Sequence, residues 1–156
     1  MVVHVDEVAG KSLFSGFTRG ELEQILAMGK EEHFARGDVI IEESVASTDL
    51  FVLLSGAVSV EIQMVRAGGK RVQEQIVRLR APDVFGEIAF LEGKRRSASV
   101  VALDNIRVLR LDGPSVKDLF KARPRMGYVA MSNLCLILSH RLIDSNFRWR
   151  NEKYGG

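Results

Sequence analysis

The sequence predicts a mainly β domain with helices at both ends, and three observations indicate this fold class. Short β-branched and apolar runs recur between positions 31 and 112, separated by glycines and charged residues. Apolar residues at helical spacing precede this region, and a long stretch without a further proline follows it. The chain has 156 residues, 46% hydrophobic and 27% charged, which suits one globular domain. Many short strands at this spacing indicate a sandwich or barrel of antiparallel strands.

Residues 1–30 form the predicted N-terminal helical segment. Thr18 stands three residues before Glu21, which is the pattern of a capping box. Apolar residues then recur at helical spacing until Gly29. We predict that this glycine ends the helix, because glycine commonly follows the last helical residue.

Residues 31–112 are predicted to form the β region. The predicted strands are 39–41, 50–54, 58–65, 72–79, 98–101 and 106–111. Apolar and polar residues alternate from 58 to 64, so we expect one buried and one solvated face. Gly68 and Gly69 can adopt the positive φ angles of a tight hairpin between two of these strands.

Two further helices are predicted between residues 113 and 150. Asp112, Gly113 and Pro114 open a short helix through Phe120, because proline is tolerated in a first helical turn. A second helix is predicted from Pro124 to about Arg150, roughly 26 residues and about 40 Å long. Residues 151–156 are expected to be a polar tail.

The apolar residues of the long helix are more than one small barrel can cover. Their main stripe consists of Met131, Leu134, Leu138, Leu142 and Trp149. The helix could fold wholly onto its own domain, or it could pack the barrel on one side and a partner helix on the other. We favour the second interpretation, because a helix of this length projects beyond a domain about 30 Å across. The expected assembly is a parallel homodimer through the first four of these residues.

Charge and composition limit the classes of partner. Lys and Arg number 22 against 20 Asp and Glu, a balance that does not favour nucleic-acid binding through overall charge. The N-terminus lacks a signal pattern, and the apolar run 134–138 is far shorter than a membrane span. We therefore expect a cytoplasmic protein without membrane contact. Cys135 lies within an apolar helical stretch, where we predict a buried, reduced thiol.

Residues 85–100 have a composition typical of an anion site. Residues 86–93 begin and end with glycine, and between them one short helical turn can offer free N–H groups to an anion. Three consecutive cations and a serine follow at 94–97. Glu87 would repel a bare phosphate but can accept hydrogen bonds from sugar hydroxyls. A phosphorylated sugar therefore fits the whole pattern.

This stretch resembles the phosphate-binding cassette of cyclic nucleotide-binding domains. In that family, a Gly-Glu-Leu/Ile-Ala segment, a short helix and an Arg-(Ala/Ser/Thr)-Ala ending follow one another, as Gly86-Glu87-Ile88-Ala89 and Arg96-Ser97-Ala98 do here. The resemblance covers most of the chain. It implies an antiparallel β-roll, a jelly-roll-like barrel, with N-terminal helices, a short cassette helix and a long C-terminal helix that acts as a lid or dimer helix.

The resemblance also implies a role for individual residues. Glu87 would accept the ribose 2′-hydroxyl, and Arg96 would bind the exocyclic oxygens of the cyclic phosphate. The other residues implied to line the phosphate are Gly86, Ile88, Ala89, Ser97 and Ala98. Ser145 and Asn146 on the long helix could reach the purine. The Arg-Ser pair resembles the bacterial catabolite-activator branch, so cyclic AMP is the expected ligand and cyclic GMP the other candidate.

Two positions depart from the family's pattern. Many relatives have proline before the arginine, where this chain has Arg95, and many have Glu-Gly in an early turn, where this chain has Glu43-Ser44. Arg95 is expected either to point into solvent or to compete for the phosphate. Ser44 leaves the conformation of its turn open.

The expected function is a stand-alone cyclic nucleotide sensor that is not an enzyme and has no cofactor. It would lack the helix-turn-helix of the family's transcription factors, bind no DNA, and signal through its long helix to an unidentified protein or a second copy. One alternative is a β-roll interaction module that has lost its ligand, and another is a cupin-like metalloenzyme. His33 and His140 lack metal-ligand spacing, so no metal site is predicted. A haem sensor ligated by His140 or Cys135 has no supporting second motif.

Overall fold

The computed structural model describes residues 2–155 and consists of two four-stranded antiparallel sheets with helices packed around them. One sheet has the order β1-β8-β3-β6 and the other β2-β7-β4-β5. The strands are β1 Gly29–Phe34, β2 Val39–Ile41, β3 Leu50–Ser55, β4 Ala57–Val65, β5 Arg71–Arg80, β6 Val84–Phe85, β7 Ser99–Ala102 and β8 Ile106–Leu111. The helices are α1 Val5–Val8, a 3-10 turn Ser12–Phe14, α2 Arg19–Ala27, α3 Glu87–Glu92, α4 Gly113–Ala122 and α5 Pro124–Tyr154. This arrangement confirms the predicted fold class.

The start of α2 forms as predicted, whereas its end does not. The Glu21 amide donates to Thr18 Oγ1, and the Thr18 amide donates to the Glu21 carboxylate at 2.8 Å, which is a capping box. The helix ends at Ala27 with Met28 as its cap, and Gly29 already begins β1. A Cβ on Gly29 would run into the buried side chain of Leu109 on β8. Glycine therefore suits the close packing against β8 at this position and does not act as a helix stop.

Two strands were not predicted from the sequence. β1 is an edge strand that pairs only with β8, and its polar residues obscure any apolar alternation. Glu31 on β1 accepts a 2.8 Å hydrogen bond from Arg107 on β8, and this partner holds the pKa of Glu31 below its ordinary value. β6 has only two residues, Val84 and Phe85, which is too short for a periodic pattern.

The hairpin of β4 and β5 departs from the expected pattern of burial. Gly68 and Gly69 have φ angles of 86° and 77°, which confirms the tight turn. Val58 is completely buried, but Met64 is 41% exposed and the polar Ser59 is buried. Of β4, only residues 58–61 pair with β7, so within the described residues the outer part of the hairpin has no neighbouring strand on that side. The alternation in the sequence thus continues past the part of the strand that is covered.

Two apolar clusters hold the domain together. One lies between the two sheets and includes Phe51 and Phe85, whose rings stack with centroids 5.1 Å apart. The other joins the helices to the first sheet, with Phe14 from the N-terminal region, Val116 from α4 and Leu134 from α5 all buried. The cassette lies between these clusters, because Phe85 belongs to one and Phe90 to the other.

Helix α5 differs from its prediction in three respects. It continues to Tyr154, so residues 151–154 are helical and not a polar tail. Leu134 is fully buried in its own domain, which is incompatible with the dimer seam predicted for it. Cys135 is exposed, so the predicted buried thiol is wrong. Its side chain lies one helical step past Leu134, a rotation that turns it away from the core.

By length and composition alone, α5 could also cross a membrane, since its most apolar 18 residues have a mean hydropathy of 1.2. Core helices of water-soluble proteins can meet the same criteria. In this domain α5 is tied to the N-terminal region by Asn133, whose side-chain amide donates to the carbonyl oxygens of Leu13 and Ser15, both at 2.8 Å.

Candidate ligand-binding site

A cavity of about 400 Å³ lies between the cassette, the β4–β5 hairpin and α5. Its wall includes all seven residues that the family resemblance implied for the phosphate and ribose, namely Gly86, Glu87, Ile88, Ala89, Arg96, Ser97 and Ala98. Ser145 also lines this cavity, whereas Asn146 is exposed on α5 and does not. The tertiary structure therefore brings the cassette and the long helix to one cavity.

The cassette helix α3 forms between two glycines as the sequence predicts. Gly86 and Gly93 flank it with φ angles of 79° and 69°, in the left-handed region that side chains with a Cβ rarely adopt. A Cβ on Gly86 would lie 2.8 Å from the Asp49 carbonyl oxygen and 2.9 Å from Arg96 Nη1. Glycine at this position thus lets the arginine pass close to the backbone.

Arg96 is a buried cation, with only 5% of its surface exposed. Its guanidinium donates to the carbonyl oxygens of Gly86 and Asp49, at 3.0 and 2.8 Å, and to Ser47 Oγ at 3.1 Å. All three acceptors are uncharged, and within residues 2–155 no carboxylate forms an ion pair with this guanidinium. Burial lowers the pKa of Arg96 from its ordinary value, which the nearby charge of Asp49 partly opposes. The cavity wall therefore carries a positive charge that an anion could neutralise.

Glu87 is also buried, at 7% exposure, and it is held by a residue that the sequence analysis missed. Arg141 on α5 donates to Glu87 Oε1 at 2.7 Å and also donates to the carbonyl of Val84. A signal for Arg141 existed in the sequence. It follows Leu134 by seven residues and therefore lies on the same buried face of the helix, where an unpaired cation would be unfavourable.

A second arginine of α5 contacts the opposite wall of the cavity. The register of β4 and β5 shifts after Val60, so that Ile76 on β5 faces no partner residue. The Ile76 carbonyl accepts a 2.6 Å hydrogen bond from Arg148. Together with Arg141, this contact places α5 over the cavity as a cover.

Arg95, the residue that replaces proline, does not line this cavity. Its side chain donates to the Ser44 carbonyl at 3.0 Å, on the outer side of the cassette. Arg95 is exposed, as one of its two expectations had it, and it does not compete for the phosphate; the hydrogen bond to Ser44 was not predicted. Lys94 is exposed beside it.

The histidines and acidic residues show no assembled metal site. In the part of the chain that the structure describes, no three side chains of His, Cys, Asp or Glu are grouped so that they could hold a metal ion. His33 lies 3.1 Å from Glu31 on the surface of the first sheet, and His140 is exposed on α5.

Known proteins are similar to this domain in both sequence and fold. Residues 31–123 match the family model of the cyclic nucleotide-binding domain. A putative potassium channel protein of Rhodopseudomonas palustris is 30% identical over 123 residues, which are 79% of this chain and 28% of that protein. Cyclic GMP-binding protein C of Dictyostelium discoideum is 32% identical over 103 residues, which are 64% of this chain and 4% of that protein.

The solved structure of a cyclic nucleotide-binding domain from Methylobacillus flagellatus has a TM-score of 0.80 to this chain at 23% identity, and covers 92% of this chain and 79% of that one. The chain thus spans less than a third of the two relatives above but most of an isolated domain of this fold. The fold, the cassette and the match over residues 31–123 show that the chain belongs to the cyclic nucleotide-binding domain family.

Proposed function

We propose that the chain binds a cyclic nucleotide, preferentially cyclic AMP, in the cavity beneath α5 and transmits its occupancy through that helix. The observation that carries the proposal is the pair of buried, oppositely charged side chains, Arg96 and Glu87, on the wall of one cavity. A cyclic phosphate supplies the anion that Arg96 lacks. A ribose 2′-hydroxyl supplies a donor to Glu87. No catalytic step and no cofactor are part of this proposal.

Ligand contact reaches α5 through Arg141. Because Arg141 already occupies Glu87 Oε1, a ribose hydroxyl must either share the carboxylate with the arginine or displace it. Either outcome changes the free energy with which α5 is held over the cavity. One position of α5 pairs Arg141 with Glu87, and in the other this pair is broken. A ligand that binds these two positions with different free energies shifts the equilibrium between them by that difference.

Calorimetric titration with cyclic AMP and cyclic GMP tests the proposal. We expect saturable binding of one nucleotide per chain, with a modest preference for cyclic AMP, since the Arg96-Ser97 pair resembles the cyclic AMP-sensing branch.

Cyclic GMP is a second candidate. The Asp144 carboxylate lines the cavity and could accept hydrogen bonds from the guanine edge, and one relative is named a cyclic GMP-binding protein. Tighter binding of cyclic GMP would overturn the preference. Absence of binding by both would favour an interaction module without ligand.

The Glu87→Gln variant is expected to bind cyclic AMP more weakly but to bind 2′-deoxy cyclic AMP almost as the unmodified protein does. The reason is that glutamine is a weaker acceptor for the 2′-hydroxyl, which the deoxy ligand lacks. Titration of both ligands against both proteins forms a double-mutant-style cycle. An equal loss for the two ligands would show that Glu87 acts through Arg141 or the cassette helix.

We further propose a parallel homodimer, through a different face of α5 from the one predicted. Leu134 is in the core and Leu138 lines the cavity, so neither is free to contact a partner. The apolar residues Leu136, Ile143 and Phe147 are 59%, 49% and 55% exposed, and their spacing of seven and four places them on one stripe. A second copy of this helix would cover that stripe.

The Ile143→Asp variant is expected to shift the protein toward monomer, because it places a charge in a seam that excludes water. Sedimentation velocity across micromolar concentrations, with and without nucleotide, measures the change. The matched variant Leu138→Asp should lose nucleotide binding while it retains the association state. An unmodified protein that is monomeric under all these conditions would contradict the dimer.

The single cysteine is unpaired and exposed, which suits a reducing compartment. We therefore propose that the domain works in the cytoplasm.

A further inference from the structure

The turn between β2 and β3 contains a backbone conformation that serine rarely adopts. Ser44 has a φ angle of +73°, and Ser12 is the other non-glycine residue with positive φ within residues 2–155. In this region the Cβ of an L-residue crowds its own backbone. Such a conformation persists only where surrounding contacts impose it.

The contacts that impose it come from the turn itself, where the Val45 amide donates to the Glu42 carbonyl at 3.3 Å, and from the end of the cassette. The Ser44 amide donates to the Arg96 carbonyl at 2.9 Å, and the Arg96 amide donates to the Val45 carbonyl at 3.0 Å. The Ser44 carbonyl accepts from the exposed guanidinium of Arg95 at 3.0 Å. If the Ser44 backbone left the left-handed region, its carbonyl would have to move away from Arg95, so this hydrogen bond stabilises the positive φ angle.

The same turn also positions the guanidinium of Arg96. This side chain donates to Ser47 Oγ and to the Asp49 carbonyl, which lie three and five residues after Ser44. Both the backbone and the side chain of Arg96 are therefore fixed by residues 44–49. If the turn relaxed, these acceptors would move and the Arg96 guanidinium would move with them. Among the described residues, Arg96 is the only buried cation of the proposed phosphate site without a carboxylate partner.

We propose that Arg95 is a positioning residue for Arg96, which acts by fixing the left-handed turn at Ser44. It does not touch the ligand, because it lies outside the cavity. Arg95 and Ser44 are hydrogen-bonded to each other, and the arginine stabilises the conformation that serine disfavours. The proposal rests on the proposed nucleotide binding, and its test is arranged so that the two can fail separately.

The test is a double-mutant cycle of Arg95→Ala and Ser44→Gly, with cyclic AMP titration as the first readout. Arg95→Ala alone should weaken binding about fivefold, the scale of one ordinary hydrogen bond, since this contact is exposed to solvent. Glycine adopts positive φ without strain, so in the Ser44→Gly background the same change should cost less than about twofold. Arg95→Lys should restore part of the affinity, and Lys94→Ala, beside it on the surface, should leave affinity unchanged.

Equal losses in both backgrounds would overturn the proposal, because a long-range effect of the Arg95 charge on the phosphate does not depend on residue 44. The second readout is the free energy of unfolding of the same four proteins. If the unmodified protein binds no nucleotide, the proposed function fails. In that case, a non-zero coupling between Arg95→Ala and Ser44→Gly in the free energy of unfolding would support the stabilisation of the turn by Arg95. Strictly additive effects of the two changes would overturn it.

Discussion

The Arg96→Ala variant is expected to bind cyclic AMP more weakly by about 2–5 kcal/mol, because truncating one member of a desolvated charge pair leaves the phosphate buried without its partner. Arg96 is 5% exposed and its guanidinium has only uncharged acceptors, so its charge is available to a ligand. Isothermal titration calorimetry at constant ionic strength measures the loss.

Two controls separate the charge of Arg96 from its structural role. Lys94→Ala removes an exposed cation two residues away and should change affinity little. Arg96→Lys retains a positive charge but not the planar fork of donors, so it should bind better than alanine and worse than arginine. Thermal unfolding of each variant shows whether the cassette still folds. Comparable losses in Arg96→Ala and Lys94→Ala would remove Arg96 from the phosphate site.

The Leu134→Ala variant is expected to lower the free energy of unfolding by about 2–5 kcal/mol, since it leaves a cavity at a fully buried position. Leu134 packs in the cluster that joins α5 to the first sheet. Denaturant unfolding followed by circular dichroism measures the difference.

Tyr128→Ala on the same helix is the matched control. Tyr128 is 74% exposed, so its truncation should change stability by less than about 0.5 kcal/mol. A small effect of Leu134→Ala together with a change in association state would return Leu134 to the dimer seam that the sequence predicted.

An anion site could be predicted from the sequence, and identified by resemblance as the family's cassette, because its residues are close together along the chain. Gly86 and Gly93 flank a six-residue helix, and Arg96 follows at a short, fixed separation. The same holds for the capping box of Thr18 and Glu21, where donors and acceptors are three residues apart. Such contacts depend on residue type and spacing, so a single sequence is enough to predict them.

Contacts between distant segments could not be predicted in this way. Arg141 meets Glu87 across 54 residues of sequence, and Arg95 meets Ser44 across 51. Each pair forms only because the sheets and α5 are packed in one particular orientation. Edge strand β1 was missed for a related reason, since its polar residues are explained by ion pairs with β8 and not by their own periodicity.

The sequence by itself determined the fold class and most strands and helices of this protein, because these follow from local backbone preferences and periodic burial. It also determined the cassette, through the resemblance of its motif to that of the family. Only the tertiary structure decided how the apolar face of α5 is divided between core, cavity and solvent. The helical spacing of an apolar residue does not predict which surface will cover it. Leu134, Leu138 and Leu136 differ in burial because of where the β-roll ends beneath the helix, and that boundary is set by the packing of the whole domain.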